Sequence, residues 1–215
     1  MQPLSDRTAV KRSRDRGVYD ADVIHSILDE ALICHVGFST ANGWPIVIPT
    51  IHARVGDVLY LHGSPASQLM GTTDEVEICV TATIVDGIVA ARSAFHHSMN
   101  YRSVMVFGKP RRVTDQAERD VAFEAIVNHV IPGRSDEIRG PNEKENKGTR
   151  LIAIDISEAS AKVRTGPPVD EPEDMNSGIW AGIIPLRTVA GTPEPDPDLE
   201  GGLAVPPSIS GYRAN

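Results

Sequence analysis

The stretch "HHSMNYRSVMVFG" at residues 96–108 places several hydrogen-bonding side chains at the start of an apolar, strand-like run. Two histidines open it, and an asparagine, a tyrosine, an arginine and a serine follow. A strand that only filled a core would not need these groups. The pattern therefore predicts that Asn100, Tyr101, Arg102 and Ser103 face a ligand, to which they offer hydrogen bonds and one positive charge.

Several familiar catalytic patterns are missing from the sequence. It contains no GxSxG of a serine hydrolase, no P-loop and no GxGxxG fingerprint of a Rossmann fold. The seven histidines form no HExxH motif or comparable ligand set. His96 and His97 would point to opposite faces of an extended chain, which is poor geometry for one metal ion. We therefore expect no metal site built from several side chains.

The charge of the chain lies mostly in its C-terminal part. The net charge is -8, and the residues from Gly166 onward carry eight acids and two bases. The rest of the chain is nearly neutral, so it lacks the basic excess of a nucleic-acid-binding surface. No apolar run approaches the roughly 20 residues that span a bilayer, and the N-terminus lacks the apolar stretch of a secretory signal. We expect a cytoplasmic protein without nucleic-acid or membrane partners, with Cys34 and Cys79 as buried free thiols.

The apolar patterning predicts about seven strands and two main helices. Residues 20–31 have the stripe of an amphipathic helix, with Asp20 or Asp22 as its cap. A second helix follows Asp115, which precedes Glu118 by the spacing of a capping box. Residues 132–149 are polar and contain glycine and proline, which favours a loop.

Tight turns separate the predicted strands, which favours an antiparallel, mainly β fold closed as a small barrel. The turns are expected at Asn42-Gly43, at Val55-Gly56-Asp57 and at Asp86-Gly87, with a short helix capped by Ser64 after the third strand. The proline-rich, acidic composition after Gly166 predicts two parts. These are a barrel domain at 1–165 and a C-terminal extension at 166–215 that docks through the apolar residues 178–186.

Four blocks of sequence, in this order, resemble the pyridoxamine 5'-phosphate oxidase-like, FMN-binding split-barrel superfamily. They are "WPIVIPTIHA", "VLYLHGSPASQLM", "SMNYRSVMVFG" and "IWAGIIPL". The similarity covers about residues 5–190 and is nearest to the branch of nitroimidazole-resistance-type flavoproteins. The resemblance implies a six-stranded antiparallel split β-barrel with a few α-helices. It also implies a homodimer that binds FMN at the subunit interface.

The resemblance also implies a role for each block in holding FMN. The main chain of Ile48, Pro49 and Thr50 would lie along the flavin ring, and residues Asn100 to Ser103 would come from the partner subunit. His62, Gly63 and Ser64 would approach the ring and ribityl chain, Ser67 the phosphate, and Trp180 would close the pocket. His62 and Tyr101 are the candidate catalytic residues, as proton donors or orienting groups near the substrate.

The chemistry of these residues suits FMN, with one departure from the family pattern. "GSPAS" combines a glycine for close backbone approach with two hydroxyls and with amides at the start of a short helix, which favour an anion. The oxidases carry an arginine–lysine pair for the phosphate soon after the third strand, where this chain has Ala66 and Ser67. Arg92, Arg102 or an N-terminal arginine substitutes for that pair, or the phosphate is bound more weakly. The charged residues that hold pyridoxal phosphate are not recognisable either, so oxidation of vitamin B6 is not expected.

The leading functional hypothesis is an FMN-dependent oxidoreductase that transfers electrons or hydride from a reduced donor to a small-molecule acceptor such as a nitroaromatic. Two alternatives stay open. One is a haem-binding split barrel with His62, His96 or His97 as axial ligand. The other is a flavin-binding homodimer without catalytic activity. A deazaflavin in place of FMN is a further alternative.

Overall fold

The computed structural model describes residues 2–71 and 76–213, and this part of the chain is mainly β with antiparallel pairing. Its strands are β1 (Gly17–Val18), β2 (Cys34–Ser39), β3 (Pro45–Thr50), β4 (His52–Val55), β5 (Val58–Gly63), β6 (Ile78–Ala90), β7 (Ser98–Gly108), β8 (Arg111–Arg112), β9 (Arg150–Asp155), β10 (Ala159–Arg164) and β11 (Gly182–Pro185). Its helices are α1 (Ala21–Glu30), α2 (Gln68–Gly71), α3 (Gln116–Val130), α4 (Glu143–Gly148) and α5 (Pro207–Ser210). Short 3₁₀ turns lie at Arg14–Arg16, Ala94–His96, Arg134–Glu137 and Pro172–Asp174.

The chain forms two compact units. The first unit comprises Met1–Ala31, Cys79–Phe107 and Ser157–Arg187. The second unit comprises Leu32–Ile78, Gly108–Ile156 and Thr188–Asn215. Each unit is assembled from segments that are far apart in sequence, so long-range strand pairing determines both.

In the first unit, strands β1, β10, β7 and β6 lie side by side in that order, and β11 pairs with β6. Helix α1 contacts β10, and its Ile27 and Leu28 are each only 1% exposed. Burying one such side chain contributes about 1.5–3 kcal/mol. Asp20 caps the helix by accepting hydrogen bonds from the amides of Asp22 and Val23. The helix predicted over residues 20–31 is therefore confirmed, and of the two proposed caps Asp20 is the one used.

The turn predicted at Asp86-Gly87 is wrong, because both residues lie inside the continuous strand β6. Gly87 pairs with Pro185 of β11. A Cβ atom at Gly87 would come within 3.0 Å of the carbonyl oxygen of Ile184. Glycine is therefore needed here for the close approach of a second backbone rather than for a turn. The same pairing places part of the predicted docking segment, 178–186, on the sheet of the first unit.

In the second unit, β2 and β3 form a hairpin, and β4, β5, β9 and β8 form a sheet in that order. Gly43 has a φ of 79°, and its amide donates to the carbonyl of Thr40 at 2.8 Å. The hairpin turn predicted at Asn42-Gly43 is therefore confirmed. Helix α3 packs on β4 over a core of seven buried residues: Ala53, Tyr60, Val113, Ala122, Ile126, Leu151 and Ala153.

Two local predictions for the second unit need correction. Ser64 does not cap α2, because the helix begins at Gln68 and not directly after Ser64. The residue before the helix is Ser67, whose Oγ accepts a hydrogen bond from the amide of Met70 at 3.2 Å. The predicted loop over 132–149 contains α4, which Asn142 and Glu145 begin with a complete capping box. A six-residue helix carries too few apolar positions to stand out by its periodicity.

The cysteines are free thiols, as the sequence predicts. Cys34 is buried, and burial raises the pKa of its thiol to about 12. Cys79 is partly buried. Within the described residues, no helix combines the length and the apolar character that crossing a bilayer requires.

Candidate functional site

The first candidate surface is strand β7, which carries the polar block of the sequence and presents two different faces. Asn100, Arg102 and Val104 alternate on one side, and Met99, Tyr101 and Ser103 alternate on the other. Asn100 is buried, and its amide nitrogen donates to the carbonyl of Gly166 at 3.2 Å. Its side-chain oxygen accepts a hydrogen bond from Arg164. Asn100 thus joins the start of β7 to the chain that follows β10.

Arg102 is held within the first unit by two carboxylates. It donates to Glu30 Oε1 at 2.7 Å, and to Asp86 Oδ1 and Oδ2 at 2.7 and 3.0 Å. A further donor contacts Glu30 Oε2. The hydrogen bonds that Arg102 donates to Glu30, and then those that it donates to Asp86, raise its pKa above the ordinary value. This guanidinium ties α1 to the sheet, and each of its three nitrogens donates to a carboxylate of the chain.

The opposite face of β7 is open. Met99 is 51% exposed, and Met105 and the half-buried Tyr101 lie on the same side. The described residues offer no hydrogen-bond partner to the Tyr101 hydroxyl, whereas the hydroxyl of Ser103 donates to the carbonyl of Lys162 at 3.3 Å. Phe95 just before the strand is 88% exposed. This face combines apolar side chains with a free phenol, which suits a flat organic ligand.

His97 lies just before β7, and its hydrogen bonding defines the tautomer of its ring. Its Nδ1 lies 2.8 Å from the carbonyl oxygen of Ser93. Because a carbonyl only accepts, Nδ1 carries the proton, and Nε2 of the neutral ring keeps its lone pair. The side chain is exposed. The neighbouring His96 differs, since its Nε2 lies 3.5 Å from the carboxylate of Glu171. Of the two, His97 has a ring nitrogen, Nε2, to which the described residues offer no partner, as a metal ligand requires.

The second candidate surface is the junction of β5 and α2, which brings together His62, Gly63, Ser64 and Ser67. A Cβ at Gly63 would lie 3.1 Å from Met70 Cγ, so the chain is tightly packed there. Ser64 Oγ accepts from the amide of Ala66 at 3.3 Å, and Ser67 Oγ accepts from that of Met70. Both hydroxyls therefore keep their protons for another acceptor, such as a phosphate oxygen.

His62 has a buried Nδ1 for which the described residues supply no hydrogen-bond partner. Burial lowers the pKa of its ring below the ordinary value of 6.5, so the ring is neutral at pH 7. The rest of the side chain is partly exposed, so a ligand would meet the ring at a position other than this covered nitrogen. A neutral imidazole suits the proposed role of His62 as an orienting group.

The lowered pKa of His62 predicts how this residue makes the free energy of unfolding depend on pH. The unfolded ring takes up a proton as the pH falls below about 6.5, while the folded ring resists it. The free energy of unfolding therefore decreases as the pH falls from 6.5 towards the lower, folded pKa. In H62Q this acid-side decrease should be shallower than in the wild type, as measured by urea denaturation at pH 5–8. Parallel curves for the two proteins would contradict a lowered pKa.

The remaining predicted site residues lie on β3 and before β11. Ile48, Pro49 and Thr50 belong to β3, which pairs with β2 and is the last strand of its sheet among the described residues. Pro45 and Pro49 lack amide protons, as is typical of an edge strand. The Thr50 hydroxyl donates to the carbonyl of Ile51 at 3.3 Å. Trp180 is 68% exposed, and its ring lies against the backbone of Gly182.

The predicted site residues therefore fall into two groups. Asn100 to Ser103 and Trp180 belong to the first unit, and Ile48 to Thr50 with His62 to Ser67 belong to the second. Sequence reasoning missed Arg112 and Arg150, which line a cavity beside Pro65 in the second unit. No local pattern marks these two arginines, because they enter from strands β8 and β9, far along the chain from Pro65.

The mainly β fold with antiparallel sheets is that of the pyridoxamine 5'-phosphate oxidase-like split-barrel class. The chain belongs to the pyridoxamine 5'-phosphate oxidase family, whose model matches residues 20–163. The resemblance seen in the sequence is therefore confirmed. Among curated proteins no match was found.

Solved structures similar to the chain include proteins that bind flavin and haem. The flavocytochrome Anf3 from Azotobacter vinelandii is 39% identical, with a TM-score of 0.93 and 100% of both chains covered. An FAD and heme binding protein from Mycobacterium smegmatis is 34% identical, with a TM-score of 0.87, 92% of this chain and 97% of that chain covered. A protein assigned to 5-nitroimidazole antibiotic resistance from Bacteroides thetaiotaomicron is 23% identical, with a TM-score of 0.57, 68% of this chain and 86% of that chain covered. This last similarity concerns the fold alone.

Proposed function

We propose that the chain is a flavin-dependent redox protein, and that it acts as a homodimer of six-stranded split barrels with the flavin at the subunit interface. It transfers electrons or hydride between a reduced donor and a small-molecule acceptor, with the flavin supplying the redox chemistry. The observation that carries this proposal is the similarity over nearly the whole chain, at 39% and 34% identity, to a flavocytochrome and to an FAD and heme binding protein.

The residues of the second unit fit the polar parts of a flavin. Ser64 and Ser67 each have a hydroxyl proton available to a phosphate oxygen. Helix α2 is a single turn, so these hydroxyls rather than a helix dipole support phosphate binding. The partly exposed and neutral ring of His62 offers a hydrogen-bonding group to the edge of the flavin ring.

Exposed aromatic side chains support the homodimer. Trp44 is 71% exposed, and Phe95 and Trp180 are similarly open. Large apolar side chains that remain exposed in one copy are typical of surfaces that a partner covers. In the proposed dimer, Tyr101 reaches the flavin of the other subunit, where its free hydroxyl orients the substrate or donates a proton.

A haem is the second cofactor that we propose, alongside the flavin. The specific observation is His97, whose Nδ1 is fixed by the Ser93 carbonyl and whose Nε2 is exposed and unprotonated in the neutral ring. Phe95 and Met99 on either side give a porphyrin an apolar surface. His97 is thus the axial ligand that we favour over His96 and His62.

The experiment that tests the proposed function is the visible spectrum and chromophore analysis of the purified full-length protein. We expect flavin absorption at about 450 nm together with an intense Soret band of haem. Mass spectrometry of the released chromophore distinguishes FMN from FAD and from a deazaflavin. NADH or NADPH should bleach the flavin band, and sedimentation should show a dimer. A colourless monomer that takes up neither cofactor would refute the proposal, and flavin without turnover would leave a binding protein.

A further inference from the structure

The second unit contains a basic cavity of about 670 Å³ beside the Ser64–Ser67 turn. Its lining includes Pro65 of that turn and four basic residues: Arg112, Arg119, Lys147 and Arg150. Glu143 lies among them, but it accepts a hydrogen bond from Lys147 Nζ at 2.7 Å, so these two charges compensate each other. The three arginines leave the cavity positive in a chain whose net charge is -8. Such a concave basic site attracts anions.

Two of these arginines have only neutral hydrogen-bond partners among the residues that the structure describes. Arg119 donates to Oδ1 and the carbonyl oxygen of Asn146, both at 2.9 Å, and to the carbonyl oxygen of Thr149 at 3.0 Å. Arg150 donates to the carbonyl oxygen of Met70 at 2.6 Å. Arg102 differs, because it is paired with two carboxylates. Arg119 and Arg150 are therefore fixed in position by groups that, within the described part of the chain, do not neutralise their charge.

Arg112 is the side chain in this cavity that is most available to a ligand. It is exposed on β8 and pairs through its backbone with Ile152. The described residues give its guanidinium neither a hydrogen bond nor an ion pair. A guanidinium with its planar set of donors unused matches the oxygens of a phosphate group.

We propose that this cavity binds a phosphate or pyrophosphate group, with Arg112 and Arg150 as direct partners and Arg119 behind them. Backbone pairing of Arg150 with Gly63 places it next to the turn whose serines have hydroxyl protons to donate. The group belongs either to the flavin, in which case the inference rests on the proposed function, or to a free phosphorylated small molecule. Arg92 is not needed for this role, since it is bonded to Asp170 in the first unit.

Calorimetric titration tests the site, with inorganic pyrophosphate added to the full-length protein. The titration is run on the protein with flavin bound and after flavin has been removed. R112Q should bind pyrophosphate about tenfold more weakly, since one charge-assisted hydrogen-bonding partner is lost. K144Q is the matched control, because Lys144 is exposed on α4, does not line the cavity and carries the same charge. It should bind as the wild type does.

The titrations with and without bound flavin distinguish the two sources of the phosphate group. Pyrophosphate binding that occurs only without flavin, and that added FMN or FAD abolishes, assigns the cavity to the cofactor. Binding in both forms assigns it to a free phosphorylated molecule. Absence of binding in both forms, or equal weakening in R112Q and K144Q, overturns the site. A colourless protein that still binds pyrophosphate through Arg112 refutes the flavin proposal alone.

Discussion

H97A is expected to lose its haem and keep its flavin. If His97 supplies the axial nitrogen, replacing it removes the bond between protein and iron, and the Soret absorbance per mole of protein should fall at least about tenfold. The fold should tolerate the change, because the side chain is exposed and its one hydrogen bond to the described residues is with the carbonyl of Ser93. The measurement is the ratio of Soret to flavin absorbance in the purified full-length protein.

H96A is the matched control for this experiment. It removes the adjacent imidazole, whose Nε2 faces Glu171 rather than open space, and it should keep the wild-type ratio. Imidazole added to H97G should restore part of the Soret band, which a merely structural role of His97 would not produce. If H97A keeps its haem and H62A loses it, the axial ligand lies in the second unit and our assignment fails.

The parts of the fold that the sequence predicted are those determined by neighbouring residues. The α1 helix follows from an apolar stripe with Asp20 as cap, and the β2–β3 hairpin follows from the preference of Asn42-Gly43 for a tight turn. The Asp86-Gly87 turn failed because its glycine serves a partner strand about a hundred residues further on. A local pattern cannot distinguish a glycine in a turn from one that admits a distant backbone.

The same limit applies to the candidate site. The polar block at the start of β7 was predicted to face a ligand, yet the partners of Asn100 and Arg102 are side chains and carbonyls from distant segments of the first unit. Their contact with a cofactor stays a prediction. The contact of His97 with the Ser93 carbonyl is local, but it depends on a backbone conformation that no residue type specifies.

Replacing Arg102 should destabilise the protein whether or not a cofactor is bound. R102Q leaves Glu30 and Asp86 without their shared cation, and the side chain of Arg102 is only 28% exposed. Losing one partner of a buried ion pair costs about 3–5 kcal/mol, which we reduce to about 2–3 kcal/mol for partial exposure. The melting temperature should fall by roughly 5–10 °C. Thermal and urea denaturation measure the change.

R139Q is the matched control, since Arg139 makes the same two-pronged contact with Glu145 at 2.6 and 2.7 Å but its side chain is 68% exposed. Solvent screens such a pair, so we expect no resolvable change in stability. Adding E30Q and D86N to R102Q removes the unpaired carboxylates and should recover part of the loss. If R102Q instead melts like the wild type but loses its flavin, then Arg102 serves the cofactor, as the sequence alone predicted. Loss of stability with flavin binding intact identifies it as the residue that ties α1 to the sheet.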